Sequence, residues 1–157
     1  MRQALGDFSL VAIEGPPGSG KTALALELAN QLDPEQALFL RAEPGWRVET
    51  LLYALSRQWP LPETALDGSV PLEERLALVA RALGRHQLTL VLDDFHQVQD
   101  GQRLLQIWRQ YLRQAAVICT SRERLTSGQP DQLDMHSLRL EGLPHHEARA
   151  LLQRLDR

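Results

Sequence analysis

Gly15-Pro16-Pro17-Gly18-Ser19-Gly20-Lys21-Thr22 fills the pattern G-x-x-x-x-G-K-[ST], with the apolar run Leu10-Val11-Ala12-Ile13 just before it and a helix-forming stretch directly after. A run that short, bounded by polar residues and Gly15, suits a strand buried on both faces of a parallel sheet. Thr22 to Leu32 is mostly Ala, Leu and Glu, and Asp33-Pro34 supplies a stop, so strand, glycine turn and helix follow one another directly. Gly18 and Gly20 permit positive φ, which lets consecutive N–H groups converge on an anion at a helix N-terminus that already carries partial positive charge. Lys21 adds a flexible ammonium able to reach between β- and γ-phosphates, and Thr22 offers Mg²⁺ a hard oxygen. All but one of the 17 basic residues are Arg, and the exception is Lys21. A GC-rich genome accounts for the scarcity of Lys but not for its retention at this position.

Outward from this unit the alternation repeats. Residues 37–40 read as a second strand, and Val48, Leu51, Leu52, Leu55 and Trp59 recur at helical spacing up to Pro60. Prolines, Asp67-Gly68 and Ser69 make 59–70 a loop. Pro71, Glu73 and Glu74 open a helix favourably against its dipole, Leu72, Leu76, Val79, Ala80 and Leu83 form its buried stripe, and Gly84 is placed to cap it. Residues 88–92 are a third strand. Leu104, Leu105, Trp108, Tyr111 and Leu112 mark a further helix, and 115–119 a fourth strand. A polar loop over 121–136, a short fifth strand at 138–140 and a last helix from about Pro144, lined by Ala148, Leu151, Leu152 and Leu155, complete the chain. Strands alternating with helices imply a mostly parallel sheet with helices on both faces, a three-layer α/β domain.

The third strand runs into Asp93-Asp94, which places two carboxylates at the C-terminal edge where open α/β sheets bind ligands. Side chains alternate on a strand, so the two acids point in different directions. Asp93 is assigned to the metal, directly or through a water, and Asp94 to orienting or deprotonating the attacking water. Asp94 is shorter than the glutamate many fast ATPases place second, which leads to an expectation of slow hydrolysis. The fourth strand ends in Thr120-Ser121-Arg122 at the same edge. Thr120 or Ser121 is positioned to hydrogen-bond the attacking water or a γ-phosphate oxygen. Arg122 either neutralises charge present only with the γ-phosphate or is a solvated loop residue. Arg41, ending the second strand, either couples to the acid pair or makes a surface ion pair. His96 reads as a hydrogen-bonded structural residue, His145-His146 as an exposed helix start, Cys119 as an inert apolar residue, and Trp46, Trp59 and Trp108 as packing residues. Met135-His136 receives no role.

Composition sets the class. The chain has 157 residues, room for one domain (1–157), and 43% hydrophobic with 24% charged residues is ordinary for a packed core. A net charge of −3 provides no field for nucleic-acid binding by bulk charge. The single cysteine excludes an intrachain disulfide framework. With neither a leader nor a membrane-length apolar run apparent, a cytoplasmic location is expected.

Gly15 to Thr22, Leu92-Asp93-Asp94-Phe95-His96 and Thr120-Ser121-Arg122 together resemble the STAND class of P-loop NTPases, signal-transduction ATPases with numerous domains. The sequence is most similar to the ATP-binding domain of large transcription activators of the maltose-regulon type, within the LuxR family of regulators. Plant-resistance and apoptosis-type switches are close seconds. The resemblance implies an ASCE-type sheet of five strands in the order 5-1-4-3-2, with Arg122 near the γ-phosphate. Members continue into a helical lid and a winged helix, neither of which is expected in this sequence. The adenine pocket reads as incomplete, so either the chain is a fragment of a longer multidomain protein or a partner supplies the rest.

These readings converge on Mg²⁺-ATP bound by Gly15, Pro16, Pro17, Gly18, Ser19, Gly20, Lys21 and Thr22, with Thr120 and Arg122 at the phosphate end. Lys21, Asp94 and Arg122 are the catalytic set; Thr22 and Asp93 are the metal ligands. The expected function is slow hydrolysis driving a conformational switch in a signalling or transcription-regulatory protein, completed by a lid, a winged helix or a neighbouring subunit, with nucleotide-dependent self-association. Direct nucleic-acid or membrane contact is not expected. The rivals are a non-hydrolysing nucleotide-binding scaffold, an oligomeric AAA-type ATPase and, more weakly, a small-molecule kinase.

Overall fold

The computed structural model describes residues 10–31, 36–112, 115–125 and 135–142. Five strands, β1 (Leu10–Glu14), β2 (Ala37–Arg41), β3 (Thr89–Asp93), β4 (Ala116–Ser121) and β5 (Met135–Arg139), form one sheet in the order β2-β3-β4-β1-β5, every pairing parallel. This is the expected order 5-1-4-3-2 read from the other edge. The helices are α1 (Lys21–Asn30), α2 (Val48–Ser56), α3 (Leu72–Arg85) and α4 (Gly101–Tyr111), with short 3-10 turns at Glu63–Ala65 and Phe95–Gln97.

Strand alternation sorts the core into two layers. Val11, Ile13, Val91 and Ile118 pack with Ala25, Leu28 and Ala29 of α1 on one face. Leu10, Ala12, Leu90, Leu92, Val117 and Cys119 face the larger layer built by α2, α3 and α4. Because β1, β3 and β4 are buried on both faces, their sequences are continuous apolar runs rather than alternating ones. Trp108 is fully buried and donates its indole N–H to the Leu76 carbonyl at 3.1 Å, tying α4 to α3. Trp46 and Trp59 are partly buried against the same layer.

Several expected boundaries move. Gly84 lies inside α3; the left-handed residue is Gln87 (φ 52), and the N–H groups of Gln87 and Leu88 donate to the carbonyls of Gly84 and Leu83 at 3.1 and 2.9 Å. That pair of bonds is a Schellman termination, with Leu83 and Leu88 both buried in the larger core layer. α2 stops at Ser56, short of Trp59. β5 begins at Met135, inside the stretch expected to be loop, because an edge strand tolerates the polar His136 and Ser137. The stretch from Pro144 expected to form a last helix, with His145-His146, and the nine N-terminal residues lie outside the described residues. Among the described residues no helix is long and apolar enough to cross a membrane.

Candidate functional site

The turn from β1 into α1 carries left-handed backbone at Gly18 (φ 77) and Gly20 (φ 91), which a side chain rarely allows. Gly15 is constrained by space as well: a Cβ there would lie 2.2 Å from the Leu140 carbonyl oxygen and 3.0 Å from Ser19 Oγ. Lys21 is buried, and its ammonium arches back across the loop to donate to the Pro16 carbonyl at 2.8 Å. Thr22, in the first turn of α1, donates its hydroxyl to Asp93 Oδ1 at 2.8 Å.

Parity explains that meeting. Asp93 ends β3 on the same face as Val91, the α1 face, so its fully buried carboxylate reaches the start of α1. Asp94 adopts left-handed backbone (φ 54) at the head of the 3-10 turn, and the Nε of Arg41 lies near an oxygen of both acids. Asp tolerates this conformation better than most residues. Asp94 Oδ2 accepts from Nε and Nη2 of Arg41 at 3.2 and 3.1 Å, and Nε of Arg122 lies 4.0 Å from Asp94 Oδ1. Arg41 is thus both things the sequence allowed: exposed on the surface, and coupled to the acid pair through the β2–β3 register that sets it beside Asp93.

The Thr120 side chain is fully buried, and its hydroxyl donates to Asp93 Oδ1 at 2.6 Å and accepts the Asp94 N–H at 2.9 Å. Its one proton is thus committed to Asp93, and the hydroxyl links the two acids. Ser121 is also buried, and its hydroxyl accepts the Glu123 N–H at 3.1 Å. Cys119 is enclosed in β4, where burial pushes its thiol well above the usual range.

Among the described residues, the buried side-chain polar atoms without a hydrogen-bond partner are Ser19 Oγ, Asp93 Oδ2 and His96 Nδ1. The first two border the loop. The nearest cation to Asp93 Oδ2 is Arg41 Nε at 3.8 Å. A cavity of about 390 Å³ opens at Gly15 and Pro16, walled by Arg122, Arg124 and Arg139. A larger one, about 480 Å³, lies past Phe95 and His96 along the start of α4 and is not lined by residues 15–22. His96 shares a hydrogen bond with the Gln97 amide at 3.1 Å. No group of three His, Cys, Asp or Glu side chains gathers as a metal site among the described residues.

Sequence reasoning passed over Glu14. It is 5% exposed, and its Oε1 accepts the Leu125 N–H at 2.7 Å. A single acid closing an apolar run reads as a boundary, and only the sheet register shows it enclosed between Ser121 and Arg139.

Comparison with solved structures returns the same fold. A STAND protein with a tetratricopeptide repeat sensor from Pyrococcus horikoshii is 23% identical with a TM-score of 0.71, covering 98% of this chain and 24% of that one. The Aeropyrum pernix ORC2 protein, solved with ADPNP and ADP, is 16% identical with a TM-score of 0.64, covering 97% and 46%. AMPPCP-bound DnaA from Aquifex aeolicus is 16% identical with a TM-score of 0.52, covering 99% and 49%. This chain therefore spans from about a quarter to about half of those chains. No curated protein matches its sequence. The family model described as "AAA domain" matches residues 7–132, from before the phosphate loop to beyond Arg122. The chain belongs to the AAA domain family, with a P-loop NTPase fold.

Proposed function

We propose that the chain binds Mg²⁺-ATP on residues 15–22, hydrolyses it slowly, and serves as a nucleotide-dependent switch inside a larger cytoplasmic signalling or transcription-regulatory protein. The observation that carries this reading is the 2.8 Å bond between Thr22 Oγ1 and Asp93 Oδ1, with the other Asp93 oxygen buried, without a hydrogen bond, and 3.8 Å from Arg41 Nε. A hydroxyl and a carboxylate are the hard-oxygen donors that suit Mg²⁺, and an enclosed carboxylate oxygen without a hydrogen bond is the group such a cation satisfies. Thr22 and Asp93 would hold the ion, which would supply positive charge against the phosphates. The loop N–H groups and the Ser19 hydroxyl then receive phosphate oxygens, and Lys21 exchanges the Pro16 carbonyl for a phosphate.

Asp94 orients the attacking water or takes its proton. With Arg41 hydrogen-bonded to Asp94 Oδ2 and the Arg122 charge 4.0 Å from Oδ1, the carboxylate is held as a weaker base toward a water, which supports slow turnover. Arg122 lines the cavity at Pro16, so a γ-phosphate offers its guanidinium a second partner. Exchange of Arg122 between Asp94 and phosphate is the two-state element of the switch. A lid, a winged helix or a neighbouring subunit supplies the remaining charge stabilisation, a contribution on the order of 10³ to 10⁵ in rate.

Phosphate release by the unaltered chain and by Asp94→Asn tests the reading. Slow release that disappears in Asp94→Asn, with ATP still bound, supports it; equal release from both refutes the role of Asp94. The AAA family match favours one alternative, an oligomeric ATPase. Turnover per chain that rises with protein concentration would select it, and concentration-independent turnover would dismiss it.

A further inference from the structure

We infer that Glu14 is a positioning residue: its carboxylate holds the segment carrying Arg122 in place, so that this arginine responds to what occupies the phosphate loop. The inference rests on the reading of residues 15–22 as an ATP site.

Glu14 is the last residue of β1 and the immediate neighbour of Gly15. Its parity follows Leu10 and Ala12, so its side chain leaves the sheet on the face opposite α1, Lys21 and Thr22. There Oε1 accepts the Leu125 N–H in a buried bond of 2.7 Å between residues 111 positions apart. Leu125 is itself buried in the larger core layer. At the other end of the same segment, the Gly15 N–H donates to the Ser121 carbonyl at 3.2 Å and the Ser121 hydroxyl accepts the Glu123 N–H.

Residues 122–124 are therefore an exposed bridge fixed at both abutments to the strand end that begins the phosphate loop. Arg122 lies on that bridge, within 4.0 Å of Asp94 and on the wall of the cavity at Pro16. The Leu140 N–H also holds the Glu14 carbonyl at 2.7 Å, and the Leu140 oxygen occupies the space a side chain at Gly15 would need, so Gly15 and Glu14 are tied to the same neighbour. A shift of the loop is thus transmitted through Glu14 to Leu125, and so to Arg122. An enclosed acceptor is costly to keep without a donor, and the reach of the side chain is what brings this one to the Leu125 amide.

Two substitutions separate reach from charge. Glu14→Gln keeps an acceptor oxygen at the same reach, and turnover stays within about threefold of the unaltered chain. Glu14→Asp keeps the charge but is one methylene shorter, so kcat and the preference for ATP over ADP each fall about tenfold or more, while ADP affinity changes by less than about twofold. Adding Glu14→Asp to Arg122→Ala costs less than about threefold beyond Arg122→Ala alone, because both act through one group. Equal damage from Gln and Asp, or parallel loss of ATP and ADP affinity, overturns the role.

Amide hydrogen exchange in the nucleotide-free chain reports on the tie itself, even if Glu14→Asp fails to fold. The Leu125 N–H is protected in the unaltered chain and in Glu14→Gln, and rapid exchange in the unaltered chain overturns the inference. Failure of the unaltered chain to bind ATP removes the ATP reading and this role together. Intact binding with no difference between Glu14→Asp and the unaltered chain removes this role alone.

Discussion

Replacing Arg41 with Met frees Asp94 from the closer of its two guanidinium partners. Arg41 places Nε and Nη2 at 3.2 and 3.1 Å from Oδ2, whereas Arg122 Nε stands 4.0 Å from Oδ1. A charged hydrogen bond away from water is worth about 1.5–3 kcal/mol, and an exposed ion pair about 0.2–1 kcal/mol. The Arg41 side chain is 68% exposed, so the lower range applies. Taking about 0.5–1 kcal/mol, and a factor of ten in rate per 1.36 kcal/mol, release of Asp94 accelerates hydrolysis about two- to fivefold. The assay is phosphate release at saturating Mg²⁺-ATP, with ATP affinity measured in parallel. The expected result is faster turnover at unchanged affinity, and a narrowing gap between the two proteins as salt screens the exposed pair. A tenfold fall in turnover would mean the opposite, that Arg41 assists Asp94 rather than restraining it.

Two further outcomes follow from packing and burial. Gly101 opens α4, and a Cβ there would meet the buried Phe95 ring at 2.8 Å from Cζ. Gly101→Ala is expected to destabilise the fold by about 1–3 kcal/mol in urea unfolding, where an unhindered glycine-to-alanine change in a helix would stabilise it. Burial raises the Cys119 thiol, so it stays neutral in the folded chain at pH 9, where a free thiol is largely ionised. Iodoacetamide is expected to leave it unmodified until the chain is denatured; rapid alkylation under native conditions would contradict the enclosed placement.

The sheet was legible because each inner strand is a continuous apolar run and the glycine loop joins the first to a helix. The Thr22–Asp93 meeting was within reach, since parity along β3 sends Asp93 to the α1 face. What escaped depended on partners distant in sequence. Gly84 attracted the helix cap by residue type, whereas the chain uses Gln87, with Leu83 and Leu88 both buried in the larger core layer. Polar Met135-His136-Ser137 gave no strand signal because an edge strand needs no second buried face. The bond from Thr120 to Asp93 also needs the pairing of β3 with β4, which brings strand ends 27 residues apart together. Glu14 was invisible because nothing local distinguishes a buried acid from one that merely ends a strand.

Equilibrium titration of ATP into the unaltered chain and into Lys21→Ala, each with and without Mg²⁺, is the most direct measurement. The account calls for tighter binding with Mg²⁺ and for affinity at least about tenfold weaker in Lys21→Ala, equivalent to 1.4 kcal/mol or more. Equal affinity in the two proteins would contradict it, for then the phosphates do not rest on residues 15–22.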